Sequence, residues 1–131
     1  MSLTAYQQAS TRAESASSTE YRLFAQVTRS MMDACDAPAE AFSQIAEAVD
    51  WNRRVWGALA YDCTQNDNGL PDALRAGIIS LSIFVNRHSS IVVRNVDEME
   101  ILVDINKMIM QGLADQQKMI ASSQQAVATN D

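Results

Sequence analysis

The chain of 131 residues has little of what punctuates a fold: four glycines and two prolines in all. A sandwich or barrel of many short strands needs far more turn residues, so this scarcity excludes those architectures and favours long elements. Two cysteines, Cys35 and Cys63, are too few for a disulfide framework and too isolated for a CxxC metal or redox pair, which points to a reducing cytoplasm. Basic charge is also short: 10 Lys and Arg stand against 16 Asp and Glu, a net of −6. That deficit works against direct nucleic-acid binding, which runs on phosphate neutralisation, and equally against an anionic membrane surface. The polar N-terminus lacks the basic and apolar regions of a secretory signal. The longest apolar run, residues 78–85, is interrupted by Ser80 and Ser82 and falls short of the roughly 18–20 residues of a membrane span.

Catalytic equipment is thin as well. The single histidine, His88, follows Arg87 near the end of an apolar segment, where a cation suits terminal helix carbonyls better than it suits a metal. Both cysteines fall on apolar stripes and read as small core residues. The acids Asp97, Glu98, Glu100 and Asp104 read as a helix start with its solvated face. No GxGxxG or GxxxxGK[ST] phosphate loop occurs. The inventory therefore gives no enzyme, no cofactor and no metal site.

What is present is helical periodicity. Residues 2–17 read as a weak helix or arm with Leu3 and Tyr6 as anchors. A capping box of Ser17 and Glu20 predicts a helix start, followed by a stripe of Tyr21, Phe24, Ala25, Thr28, Met31, Met32 and Cys35. Pro38 predicts the start of a second helix, whose seam runs Phe42, Ile45, Val49, Asn52, Trp56, Leu59 and Cys63. Trp51, Val55 and Ala58 lie beside that seam, and Asp50 marks a candidate break. The segment Gln65-Asn66-Asp67-Asn68-Gly69 reverses the chain, and Pro71-Asp72 restart it. The third helix, with Leu74, Ile78, Leu81, Val85 and His88 on one face and Ile79 and Ile83 opposite, is expected to be the central, most buried one. Ile91-Val92-Val93 either finishes it or makes a kinked turn. Asp97 and Glu100 open a last helix with Leu102, Ile105, Ile109 and Leu113 on one face, ending near Gly112. The expectation is an all-α single-domain bundle of four main helices, with a short N-terminal helix or arm. The domain spans residues 1–113, and 114–131 form a polar tail, frayed or disordered.

Surfaces remain as the carriers of function. Acids Asp33, Asp36, Glu40, Glu47 and Asp50 occupy a stretch free of Lys and Arg, while Arg75, Arg87 and Arg94 mark the third helix. Seven methionines suit adaptable apolar contacts. Trp51-Asn52-Arg53-Arg54-Val55-Trp56 combines the two commonest interface anchors, Trp and Arg. Its plainer reading buries both rings and pairs Arg54 with Glu47 or Asp50 one turn away.

At this motif the sequence resembles the FlaF family of flagellar biosynthesis regulators. The resemblance rests on Thr19-Glu20-Tyr21-Arg22-Leu23-Phe24, Ala48-Val49-Asp50-Trp51-Asn52-Arg53-Arg54-Val55-Trp56, Asn68-Gly69-Leu70-Pro71-Asp72, Val85-Asn86-Arg87-His88 and Ile109-Met110-Gln111-Gly112-Leu113. It implies a cytoplasmic, non-enzymatic protein that binds flagellin as a chaperone or regulator of its synthesis and export, in one pathway with the regulator FlbT. On that reading the partner contacts expected are Trp51, Arg53, Arg54, Trp56, Met108 and Met110. The alternatives are post-transcriptional control through FlbT or RNA, and a module that acts by self-association along the 42–63 seam.

Overall fold

The computed structural model describes residues 2–38 and 40–129, with the side chains of residues 6, 9–18, 128 and 129 outside that description. Four α-helices, α1 (Leu3–Cys35), α2 (Phe42–Cys63), α3 (Asp72–Arg94) and α4 (Met99–Thr129), are joined by short turns, with a 3-10 turn at Val96–Glu98 before α4. No strand occurs among the described residues, so the all-α bundle expected from the periodicity is what forms.

Contacts between the helices give an up-down-up-down course. Phe24 meets Trp56 and Thr28 shares a network with Asn52, so α1 and α2 run antiparallel. Arg53 reaches Asn86 and Ser90 while Arg75 reaches Cys63, which sets α2 against α3. His88 touches Glu98 and Leu74 lies beside Gly112, which sets α3 against α4. From the predicted stripes the core takes Phe24 and Met31 of α1, Val49, Trp56 and Leu59 of α2, Ile78 and Val85 of α3, and Leu102, Ile109 and Leu113 of α4. It adds Val27 and Val92, which lay outside them, while Tyr21 and Met32 of the α1 stripe stay exposed.

Several boundaries differ from expectation. Helix α1 does not start at the Ser17–Glu20 box. It begins at Leu3, where the Ser2 hydroxyl accepts from the Ala5 N–H at 3.1 Å. The side chains of Ser17 and of the Tyr6 anchor lie outside the description. Helix α2 begins at Phe42 rather than Pro38, because Pro38 instead closes a turn in which its carbonyl accepts from Ala41 at 2.9 Å. Phe42, predicted on the seam, is thereby left 72% exposed in the first turn, and the helix passes Asp50 without a break. Ile91-Val92-Val93 complete α3. Asn95, not Asp97, accepts the capping bond at the following turn, from the Asp97 N–H at 3.2 Å. Helix α4 runs through Gly112 to Thr129, since a helical glycine costs only about 1 kcal/mol and here packs against Leu74. Cys35, read as core, is exposed at the end of α1, while Cys63 is buried.

The largest correction concerns α3. It is not the most buried helix: Ile78, Val85, His88, Ser89 and Val92 face inward, but Ile83, Phe84, Ile91 and Val93 remain exposed. By length and composition α3 is also apolar enough to cross a membrane, with mean hydropathy 1.3 over its best window. In the bundle its inward row is satisfied by α2 and α4, so the surplus hydropathy is carried by the outer face. Periodicity showed an apolar helix without showing which of its faces a neighbour covers.

Candidate functional site

The Trp51–Trp56 motif splits between the interior and the surface. Trp56 is 1% exposed, edge-on to Phe24 at 5.2 Å between ring centroids. Its indole N–H donates to the Asn106 Oδ1 at 2.8 Å. An indole N–H can only donate, and this fixes the whole network. The Asn106 amide nitrogen must turn the other way, donating to the Asn52 Oδ1 at 2.8 Å and to the Thr28 hydroxyl at 3.1 Å. Thr28 in turn donates to the Phe24 carbonyl at 2.6 Å. One polar cluster thus locks α1, α2 and α4 into a single register, with the Asn52 amide nitrogen the member left without a bond.

Arg53 and Arg54 have different roles. Arg53 donates from Nη2 to the Asn86 carbonyl at 3.1 Å and to the Ser90 hydroxyl at 2.6 Å, so it clamps α2 to α3. Arg54 points outward and pairs with Asp50 at 3.2 Å, as the plainer reading of the motif has it. Trp51 is half-buried against the core. On α4, Met110 is half-buried and lines a small cleft with Tyr21, Lys107, Gln111 and Ala114, whereas Met108 is exposed. The six residues singled out in the sequence therefore do not form one surface. Trp56 is interior, Arg53 lies at the α2–α3 boundary, and Met110 lies at the α1–α4 boundary.

What the motif does border is a groove of about 450 Å³ between α2 and α3, lined by Arg53, Gly57, Ser82, Ile83, Asn86 and Arg87, with Trp56 and Val85 contributing to its floor. Exposed Ile83 stands at its edge, and Phe84 follows on the outer face of α3, stacked on His88 at 5.2 Å. Ile83 and Arg87, one helical turn apart, were legible as an apolar and a basic position on α3. What the sequence does not show is that both stay at the surface.

His88 and Arg75 have structural partners. The Glu98 carbonyl only accepts, so the His88 Nε2 carries the proton of their 3.2 Å bond, with the Glu98 carboxylate 3.5 Å away. Arg75 closes the α2 terminus by donating to the carbonyls of Cys63 and Gln65, both at 2.9 Å. Burial, and secondarily the Asp62 carboxylate, push the Glu20 carboxyl above its ordinary value. Burial likewise pushes up the thiol of Cys63 and that of Cys35, leaving both less nucleophilic than a free thiol. Among the described residues no group of three or more His, Cys, Asp or Glu is placed to hold a metal.

The chain is thus a small all-α bundle whose buried polar residues serve register and whose open chemistry is a groove beside an apolar helix face. Comparison with known proteins supplies the family: the flagellar protein FlaF model matches residues 2–113, and the chain belongs to that family. It is thus a flagellum-related protein, and the family is not a known enzyme family. No curated protein and no solved structure matches the chain.

Proposed function

We propose that this protein is a cytoplasmic flagellin-binding chaperone that supports flagellin synthesis and export without catalysis. Family membership supports the flagellar context. The observation that carries the reading is the outer face of α3, where Ile83 is 53% and Phe84 43% exposed beside the groove that holds Arg53 and Arg87. A helix that forms only on packing into a filament leaves an apolar stripe uncovered while the subunit is unassembled. The α3 face offers such a stripe apolar contact at Ile83 and Phe84, and Arg87, one turn on, offers an acidic neighbour a charged hydrogen bond. Arg53 then acts indirectly, holding α2 and α3 in the spacing that forms the groove, while Trp56 fixes α2 against α1 and α4.

Co-elution with flagellin kept unassembled tests this. The account expects a stable complex that survives moderate salt, because apolar contact dominates it. Strong, salt-sensitive binding to a flagellin transcript, with no complex formed with flagellin, overturns it in favour of an RNA-linked regulator.

A further inference from the structure

We infer that the end of the bundle where α1 and α3 finish is a self-association surface that takes a second copy of this chain. Two unlike patches meet there. One is a groove of about 420 Å³ between α1 and α4, with Met32, Cys35, Val96 and Val103 among its lining residues. Its rim carries Asp36, Asp97, Glu100 and Asp104 against a single cation, Lys107. The other patch is the last turn of α3, where Ile91 and Val93 are 44% and 45% exposed and Arg94 supplies the charge. Helix α3 carries no acid after Asp72, so its terminal face is apolar and basic where the groove is apolar and acidic. Neither Arg94 nor any of the four rim acids belongs to an ion pair among the described residues.

The placement of the patches selects the symmetry. Arg94 and Val96 are two residues apart, so the two patches sit side by side at one end of the molecule. A two-fold axis between them sets the α3 terminus of each copy into the groove of the other, and the contact closes on itself as a dimer rather than growing as a fibre. Four exposed apolar side chains, Met32, Ile91, Val93 and Val96, leave water in the process. A bundle end is a small platform, which places the interface at the low end of the size range, with a dissociation constant on the order of 10–100 µM. The surface is separate from the mid-helix face around Ile83, so the dimer leaves that face open.

Sedimentation equilibrium on the full chain tests the inference. Concentrated protein is expected to approach twice the 14.4 kDa chain mass and to return to monomer on dilution or in high salt. Arg94→Glu should weaken the dimer by at least about tenfold and Arg94→Gln by less, each with an unchanged circular dichroism spectrum. Combining Arg94→Glu with Glu100→Arg in one chain restores opposite charges across both halves of the interface, and should recover most of the lost affinity. A monomer at about 500 µM, or a dimer indifferent to these reversals and to their combination, overturns the inference. So does a Glu100→Arg variant that loses flagellin while the mass distribution stays as in the parent chain, since the groove then serves a basic partner.

Discussion

The indole N–H of Trp56 donates to the side-chain oxygen of Asn106, fifty residues later, at 2.8 Å inside the bundle. That one direction dictates the orientation of Asn106, and through it the acceptors on Asn52 and Thr28. Asn106→Ala therefore strands a buried donor on Trp56 and a buried acceptor on Asn52 together. The expected loss is about 2–4 kcal/mol, seen as a lower urea midpoint with Trp fluorescence as the probe. Trp56→Phe keeps an aromatic ring near Phe24 but removes the donor, and should cost about 1–3 kcal/mol.

The neighbouring arginines separate by the same logic. Arg53→Ala removes two bonds that join α2 to α3, and is expected to cost about 1–2 kcal/mol. Arg54→Ala breaks only an exposed pair with Asp50, and should change stability by less than about 0.5 kcal/mol. Thermal unfolding of the two variants side by side checks the contrast.

Gly112 sits inside α4 with φ in the ordinary helical range, and a Cβ there would meet the Leu74 Cδ1 at 3.8 Å, an ordinary contact. Gly112→Ala should stabilise the protein by about 0.5–1 kcal/mol, because alanine loses less backbone entropy in a helix. A lower melting temperature for this variant would mean that α4 does not continue through residue 112.

Glu20 carries a pH signature. Its carboxyl lies above the ordinary 4.5 because burial, and then Asp62, disfavour the charged form. The folded state thus holds this proton more tightly than the unfolded chain does. The resulting stabilisation is full below the ordinary value and is lost as pH rises through the raised one. Glu20→Gln removes that loss, so the variant should melt higher than the parent at neutral pH, and the difference should shrink toward pH 4. Melting curves across that range check the sign.

Most of the core was legible because burial follows the helical period: Ile45, Val49, Trp56 and Leu59 lie inside as their spacing predicted. Boundaries were less so. Ser17–Glu20 has capping spacing, but capping is a local preference that a continuing helix overrides, and residues 3–17 extend α1 instead. Gly112 likewise carries a stop signal that the helix ignores. The site was split. Trp51-Asn52-Arg53-Arg54-Val55-Trp56 marked a place that matters, yet sequence alone could not assign its side chains to the interior or the surface. Asn106 was readable in principle, as a polar residue in phase with Leu102, Ile109 and Leu113, but its partners lie on α1 and α2, and no local pattern connects them. The open face of α3 is not legible in the sequence, because an apolar face and a covered face look alike in one dimension.

The most direct test of the central claim is a binding titration of unassembled flagellin against the parent chain and its Ile83→Glu variant. Ile83 lies at the groove edge and is more than half exposed, so a charge there should leave the fold intact. The account predicts that the parent chain binds flagellin and that Ile83→Glu weakens the complex by at least about tenfold. Equal affinity of the two proteins, or no binding by the parent, would contradict it.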